Sequence, residues 1–129
     1  MIVDSSALLA IIWREQGFER LLDRLVESRS AAIGAPTLAE SGIVLASRLG
    51  ASGQTLLSRF VEAADIEVLA LGLEHWPIAV QAFLTFGKGR HAAALNFGDC
   101  LTYAIARTTN EPLLCVSDDF TKTDLLLVS

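Results

Sequence analysis

Short apolar segments alternate with longer segments of helical periodicity along most of the chain. Residues 1–3, 31–35, 66–71 and 113–116 have the composition of buried strands, and residues 125–128 can add a short last one. Between them lie amphipathic segments such as Phe18 to Val26, in which apolar residues recur every three or four positions. Strands that alternate with helices predict an α/β fold, a three-layer α/β/α sandwich with a mainly parallel central sheet.

The length of 129 residues suits a single domain, residues 1–129, and we expect neither a linker nor an internal repeat. No apolar run reaches the roughly 18 to 20 residues of a membrane span, and no signal peptide is recognisable. Cys100 and Cys115 have no metal-site spacing and lie in apolar surroundings, so free buried thiols are expected. These features predict a soluble, cytoplasmic protein without membrane attachment.

Acidic residues follow the predicted strands. Asp4 follows the first strand, and Glu40 lies in the expected first turn of a helix running from Leu38 to about Leu49, after the second strand. Asp118 and Asp119 follow the strand at 113–116. Each acid alone has a local explanation, as a helix cap or as a charge favoured by the helix dipole.

The stretch from Ala92 to Arg107 places Asp99 where another helix begins. Gly98 is expected to turn the chain, while Asn96 and Asp99 accept hydrogen bonds from the free N–H groups of the helix start. A buried stripe follows at Leu101, Ala104 and Ile105. Taken by itself, Asp99 is better explained by a plain capping role.

In a parallel sheet these acids would gather at one edge, because ligands and side chains meet beyond the carboxyl ends of the strands. Carboxylates held together repel and raise one another's pKa unless a cation neutralises them. Oxygen ligands without His or Cys favour Mg²⁺ or Mn²⁺, ions that support attack at phosphorus. The residues therefore predict a metal-dependent phosphodiesterase.

A basic loop, Gly87 to His91, precedes the Asp99 helix. The net charge of -5 argues against broad adhesion to nucleic acid, but a local basic patch can coexist with it. Lys88, Arg90 and His91 are candidates for contact with RNA phosphates; the alternative is a solvated loop. His75 has no neighbouring Cys or His and is expected to be a packed or surface histidine rather than a metal ligand.

The segments that carry the acids resemble PIN-domain ribonucleases, specifically the VapC toxins of bacterial toxin–antitoxin systems. The resemblance covers nearly the whole chain and is carried by Ile2 to Leu8, Pro36 to Glu40, Phe86 to Ala104 and Leu113 to Asp124. The block around Asn96-Phe97-Gly98-Asp99-Cys100 is the most specific. The chain has Ser5-Ser6 where the family usually has Thr-Ser, and Ser117 where it often has Gly.

The resemblance implies a PIN fold and Mg²⁺-dependent endonucleolytic cleavage of RNA, with Mn²⁺ able to substitute. It makes Asp4 and Asp99 the main metal ligands, with Glu40 and one acid of the Asp118–Asp119 pair completing the site and Ser6 supporting it. Asp118 is the member assigned to the metal, although Ser117 leaves the choice between the two open. A cognate VapB-like antitoxin, an RNA substrate and a homodimer are the expected partners.

Two other functions are alternatives to this expectation. A receiver-like domain needs paired acids after the first strand and an Asp after the third, but Asp4 is followed by serines and residues 69–72 contain no acid. A catalytically silent module that sequesters RNA or a partner on the same fold stays open. Trp13, Phe18 and Leu22 belong either to a groove for a partner helix or to the ordinary core.

Overall fold

The computed structural model of the chain describes all 129 residues as six helices and five strands. The helices are α1 (Ser5–Ile12), α2 (Phe18–Glu27), α3 (Ala35–Leu49), α4 (Ala51–Ala63), α5 (Trp76–Phe86) and α6 (Phe97–Thr109). The strands are β1 (Ile2–Val3), β2 (Ala31–Gly34), β3 (Ile66–Leu69), β4 (Leu113–Leu114) and β5 (Leu127–Val128). No helix combines the length and the apolar composition that crossing a bilayer demands.

The five strands form one parallel sheet in the order β3-β2-β1-β4-β5. Ile2 of β1 pairs with Ala32 on one side and with Leu113 on the other. The chain therefore runs outward from β1 through β2 to β3, and then returns to the opposite side of β1 for β4. This reversal opens a crevice between β1 and β4 at the carboxyl edge, the position where open parallel sheets bind ligands.

Each face of the sheet has its own apolar core. Val3 and Leu114 point to the face covered by α1 to α4, whereas Ile2 and Leu113 point to the face covered by α5 and α6. Successive strand residues alternate between faces because their side chains have a period of two. Helices on both faces of a parallel sheet confirm the predicted three-layer sandwich, and both cysteines are free and buried as expected.

The start of α3 differs from the sequence prediction. The helix begins at Ala35 rather than Leu38, because Pro36 is accommodated in its first turn, where no intrahelical N–H bond is required. Glu40 consequently lies in the second turn, and the expectation that it falls in the first turn was wrong. Stabilisation by the helix dipole, which acts mainly within the first turn, therefore explains Glu40 less well.

The contact between α3 and α4 and the start of α5 each depend on a single residue. Helix α4 begins at Ala51, and Gly53 is buried within it. A Cβ atom at Gly53 would lie 2.7 Å from the carbonyl of Leu45, so glycine permits the close approach of α3 and α4. Helix α5 begins at Trp76, after a turn in which the His75 Nδ1 accepts a 2.8 Å hydrogen bond from the N–H of Gly72. His75 is buried, in agreement with its prediction as a packed histidine.

Candidate active site

Asp4 lies at the crevice between β1 and β4 and is only 4% exposed. Its N–H donates to the carbonyl of Leu114, 2.9 Å away, and its Oδ2 accepts hydrogen bonds from the N–H (3.1 Å) and the hydroxyl (2.5 Å) of Ser6. The same hydroxyl accepts from the N–H of Val116 at 3.2 Å. Ser6 thereby links the start of α1 to the segment after β4 and fixes the orientation of the Asp4 carboxylate.

Asp99 is held at the start of α6 by a reciprocal capping box. The Asn96 side chain accepts from the N–H of Asp99 at 2.9 Å, while Asp99 Oδ2 accepts from the N–H of Asn96 at 3.0 Å. The predicted capping roles of both residues are thus confirmed. Gly98 does not turn the chain, because it lies inside the helix, and the turn precedes it.

Glu40 reaches the same place from α3. A Cβ atom at Gly98 would come within 2.7 Å of Glu40 Oε2, so the carboxylate lies against the bare backbone at the start of α6. One turn away, the buried hydroxyls of Thr37 and Thr102 share a 2.9 Å hydrogen bond between the two helices. Thr37 lies three residues before Glu40 and Thr102 three residues after Asp99, so this bond connects the helix faces that carry the two acids. Sequence reasoning missed both threonines, since neither belongs to a local motif.

The acids affect one another electrostatically. The pKa of Asp99 is raised to about 6, first by burial and then by repulsion from Asp119, Asp4 and Glu40, against a lowering by its bond from Asn96. The pKa of Asp4 is also raised by burial, although hydrogen bonds from Ser6 and Ser5 oppose this, and Glu40 adds repulsion. Side chains from four separate segments of the chain are therefore close enough for their charges to interact.

Asp119 and Asp118 take part unequally in this arrangement. Asp119 raises the pKa of Asp99 and also that of the buried Cys115 thiol, whose pKa reaches about 11 mainly through burial. Asp118 contributes to neither shift; its carbonyl accepts from the N–H (3.2 Å) and the hydroxyl (2.8 Å) of Thr121 and so shapes the local turn. The structure thus brings Asp119 together with Asp4, Glu40 and Asp99 more clearly than Asp118.

The donor chemistry of the site fits a hard divalent cation. It offers carboxylate oxygens, and neither histidine nor thiolate, because His75 is bonded elsewhere and burial raises the pKa of Cys100 and Cys115. No three acidic, histidine or cysteine side chains converge tightly enough to enclose a metal ion by themselves. That arrangement suits Mg²⁺, which usually keeps several waters and takes only one or two protein carboxylates together with phosphate oxygens.

The basic loop is joined to the start of α6 but not to the acids. Gly87 pairs with Leu95, and the Lys88 N–H donates to the Leu95 carbonyl at 3.0 Å, which closes the loop one residue before the cap of α6. The Arg90 guanidinium lies 5.5 Å from the centre of the Phe83 ring, and His91 Nδ1 accepts from the N–H of Ala93 at 3.0 Å. All three basic side chains are exposed, and no hydrogen bond or ion pair connects them to the four acids.

Known proteins resemble this chain over nearly its whole length. A family model described as the PIN domain matches residues 1–125. The ribonuclease VapC36 of Mycobacterium tuberculosis is 44% identical over 126 residues, covering 97% of this chain and 91% of that protein. The ribonuclease VapC of Mycolicibacterium smegmatis is 34% identical over 128 residues, covering 99% of both chains.

Solved structures share the fold at much lower identity. VapC20 of Mycobacterium tuberculosis, described as a sarcin-ricin loop cleaving toxin, has a TM-score of 0.78 at 15% identity over 97% of this chain and 95% of its own. VapBC2 of Rickettsia felis, solved bound to a DNA fragment from its promoter, has a TM-score of 0.78 at 16% identity over 98% of this chain and 96% of the matched chain. The family model covers residues 1–125, and relatives named VapC match nearly the full length of the chain. The chain therefore belongs to the PIN-domain family, among its VapC members.

Proposed function

We propose that this chain is a divalent-metal-dependent endoribonuclease that acts as the toxin of a type II toxin–antitoxin pair. The observation that carries the proposal is the meeting of Asp4, Glu40, Asp99 and Asp119 at the carboxyl edge of the sheet, where burial, and then repulsion, raise the pKa of Asp99 to about 6. Uncompensated carboxylates in this position are unfavourable for the fold, and a cation would remove the penalty. Relatives named ribonuclease support the choice of RNA as substrate.

In this proposal Asp4 and Asp99 hold the metal ion, and Glu40 and Asp119 complete the site. We favour Asp119 over Asp118, the member first assigned to the metal, because only the charge of Asp119 acts on Asp99. A bound Mg²⁺ or Mn²⁺ would lower the pKa of an attacking water and stabilise charge on the phosphate.

The protein's own residues would supply orientation and a proton acceptor. Ser6 fixes the Asp4 carboxylate and Asn96 fixes that of Asp99, so both are oriented before the substrate binds. Glu40 is exposed and has no hydrogen-bond partner in the protein, which leaves its carboxylate free to orient the attacking water and to accept its proton. Lys88, Arg90 and His91 would bind phosphates of the RNA outside the acidic centre.

The proposed protein partner is a VapB-like antitoxin with an apolar helix. A groove of about 590 Å³ between α3 and α4 exposes Ile43, which is 70% accessible, and Val68. Ile43 and Ala39 also line the pocket beside Glu40, so a helix in this groove could lead a following segment to the acids. Trp13 and Leu22 instead pack against the apolar core on the face of the sheet that α1 to α4 cover. This favours the interpretation of both as ordinary core residues. A homodimer is proposed on the family resemblance alone, and sedimentation velocity would test it.

Mapping of new RNA ends tests the activity. The purified protein is incubated with total RNA in Mg²⁺, in Mn²⁺ and in EDTA, and the 5′ ends that appear are located. We expect new ends at defined positions with either metal and none in EDTA. If the protein retained RNA on a filter without producing new ends under any condition, the silent binding module would replace the nuclease.

A further inference from the structure

A second cavity lies directly beside the acids, between α3 and α6. It has a volume of about 450 Å³, within the roughly 300–1,000 Å³ typical of small-molecule sites. Its apolar wall includes Ile43, Val44 and Leu101, and Glu40 is its one charged residue. Glu40 and Gly98 line this cavity, and the charge of Glu40 acts on both Asp99 and Asp4, so the cavity borders the acidic site.

Phe97 lies at the rim of this cavity and is 80% exposed. As the first residue of α6 it lies between Asn96 and Asp99, the two members of the capping box, which fix its backbone. Its ring is thus held two positions from a proposed metal ligand while contributing little to either core. Packing within the fold does not explain a large aromatic side chain in this place.

We propose that this cavity binds a nucleobase next to the scissile phosphate of the RNA and that Phe97 is the residue on which the base stacks. The inference rests on the proposed ribonuclease function and extends it to one substrate-binding residue. The position of the cavity beside the acids favours this occupant, because a base in the cavity would be joined through its sugar to a phosphate bound by the proposed metal ion at Asp4 and Asp99. Each base presents a π face, so stacking gives affinity without requiring a particular sequence.

The chemistry of the cavity also limits its selectivity. Glu40 is assigned to the metal and to the attacking water, and the Thr37 hydroxyl is already bonded to Thr102. The remaining lining offers no free side-chain donor that would read a base edge. We therefore expect that exchanging one base for another at this nucleotide changes cleavage little, whereas removing the base changes it strongly.

The test compares Phe97→Ala and Phe97→Trp with the parent on a short RNA that contains one mapped cleavage site. Loss of one stacked base should lower kcat/KM of Phe97→Ala by roughly 5- to 150-fold, mainly through KM, while Phe97→Trp keeps most of it. Trp76→Ala, which removes an exposed aromatic ring on α5 outside the cavity, is the matched control and should behave as the parent. Equal kcat/KM for Phe97→Ala and the parent would overturn the inference.

Abasic substitution identifies the base itself. We expect the parent to cleave a substrate that lacks the base on one side of the cleaved bond with a reduced kcat/KM. The reduction should equal that of Phe97→Ala on the intact RNA. Combining both changes should then cost no more than either alone, because they remove the same contact. If the reductions in kcat/KM from Phe97→Ala and from base removal were additive at both nucleotides that flank the cleaved bond, stacking on Phe97 would be contradicted.

Two further measurements separate the other outcomes. Sedimentation velocity of the parent and Phe97→Ala should give the same mass; dissociation of a dimer by the substitution would mean that a second copy covers the ring and would overturn the inference. Binding of an RNA that carries 2-aminopurine, followed in Ca²⁺, should quench its fluorescence with the parent and not with Phe97→Ala. A parent that neither binds nor cleaves RNA would overturn the proposed function, whereas a cleaving parent with an unaffected Phe97→Ala variant would overturn this inference alone.

Discussion

The Glu40 carboxylate lies against the backbone of Gly98, so close that a Cβ atom there would be 2.7 Å from Oε2. Gly98→Ala should therefore displace the carboxylate from the start of α6. The helix itself should not suffer, because alanine favours helix over glycine by about 1 kcal/mol. We expect RNA cleavage to fall by roughly 10- to 100-fold, as for a misplaced catalytic group, with an unchanged or higher melting temperature.

Gly72→Ala provides the matched control for that substitution. A Cβ atom at Gly72 would lie 3.1 Å from Glu74 Oε2, so this variant also displaces an exposed carboxylate, but one outside the acidic site. Its cleavage rate should equal that of the parent. Full activity in Gly98→Ala would show that the position of Glu40 does not matter.

Asp99 should make stability depend on pH in the absence of metal. Its pKa is about 6 in the folded chain against an ordinary 3.8, so the folded state holds this proton more tightly than the unfolded state. Its stabilising effect is complete below the unfolded pKa and is lost as pH rises through the folded value. In EDTA, Asp99→Asn should therefore melt above the parent at about pH 8, and the difference should shrink as the pH falls toward 4.

Thermal melts of both proteins across this pH range test the expectation, with Asp23→Asn on the exposed side of α2 as the control. The control should show no comparable pH-dependent gain. A difference between parent and Asp99→Asn that stays constant with pH would mean that Asp99 is not held in a repulsive, desolvated setting. Excess Mg²⁺ should raise the melting temperature of the parent and much less that of Asp99→Asn, because binding to the folded state stabilises it.

Asp118 and Asp119 form a natural pair of matched variants. Asp119→Asn removes a charge that acts on Asp99, whereas Asp118→Asn removes one that does not. We expect the Mg²⁺ concentration that gives half-maximal cleavage to rise for Asp119→Asn and to stay near that of the parent for Asp118→Asn. The reverse result would restore Asp118 as the ligand.

Lys88 and Arg90 provide a test of substrate attraction, because the chain is acidic overall. The double variant Lys88→Ala/Arg90→Ala should bind RNA more weakly, and the log–log salt slope should flatten by about 0.7 for each lost phosphate contact. The titration is made in Ca²⁺ to hold off cleavage. A control with Arg20→Ala/Arg29→Ala removes two exposed cations from the α2 region and should keep the parent slope; an unchanged slope in the loop variant would show that RNA enters elsewhere.

Local signals in the sequence predicted the parts of the site that depend on neighbouring residues. The capping box of Asn96 and Asp99 and the cap formed by Asp4 follow from short-range hydrogen bonding, which residue type and spacing reveal. The strand–helix alternation also predicted the parallel sheet, and from the sheet the common edge of the acids.

Contacts between distant segments were not predictable in the same way. Nothing near Gly53 indicates that α4 packs on the Leu45 backbone, and nothing near Gly98 indicates that Glu40 rests on it. The unequal roles of Asp118 and Asp119 depend on a turn whose hydrogen bonds to Thr121 are specific to this fold. The exposure of Phe97 was likewise hidden, because the same residue type is more often buried.

The central claim is that Asp4 and Asp99 bind a divalent ion that RNA cleavage requires. The most direct test is single-turnover cleavage of one mapped RNA as a function of Mg²⁺ concentration, with the parent, Asp4→Asn, Asp99→Asn and Glu40→Gln, each shown to be folded. The account predicts saturable, EDTA-sensitive cleavage by the parent, none by either Asp variant, and a reduced residual rate for Glu40→Gln. Cleavage by Asp99→Asn at the parent rate, or parent cleavage that continues undiminished in EDTA, would contradict it.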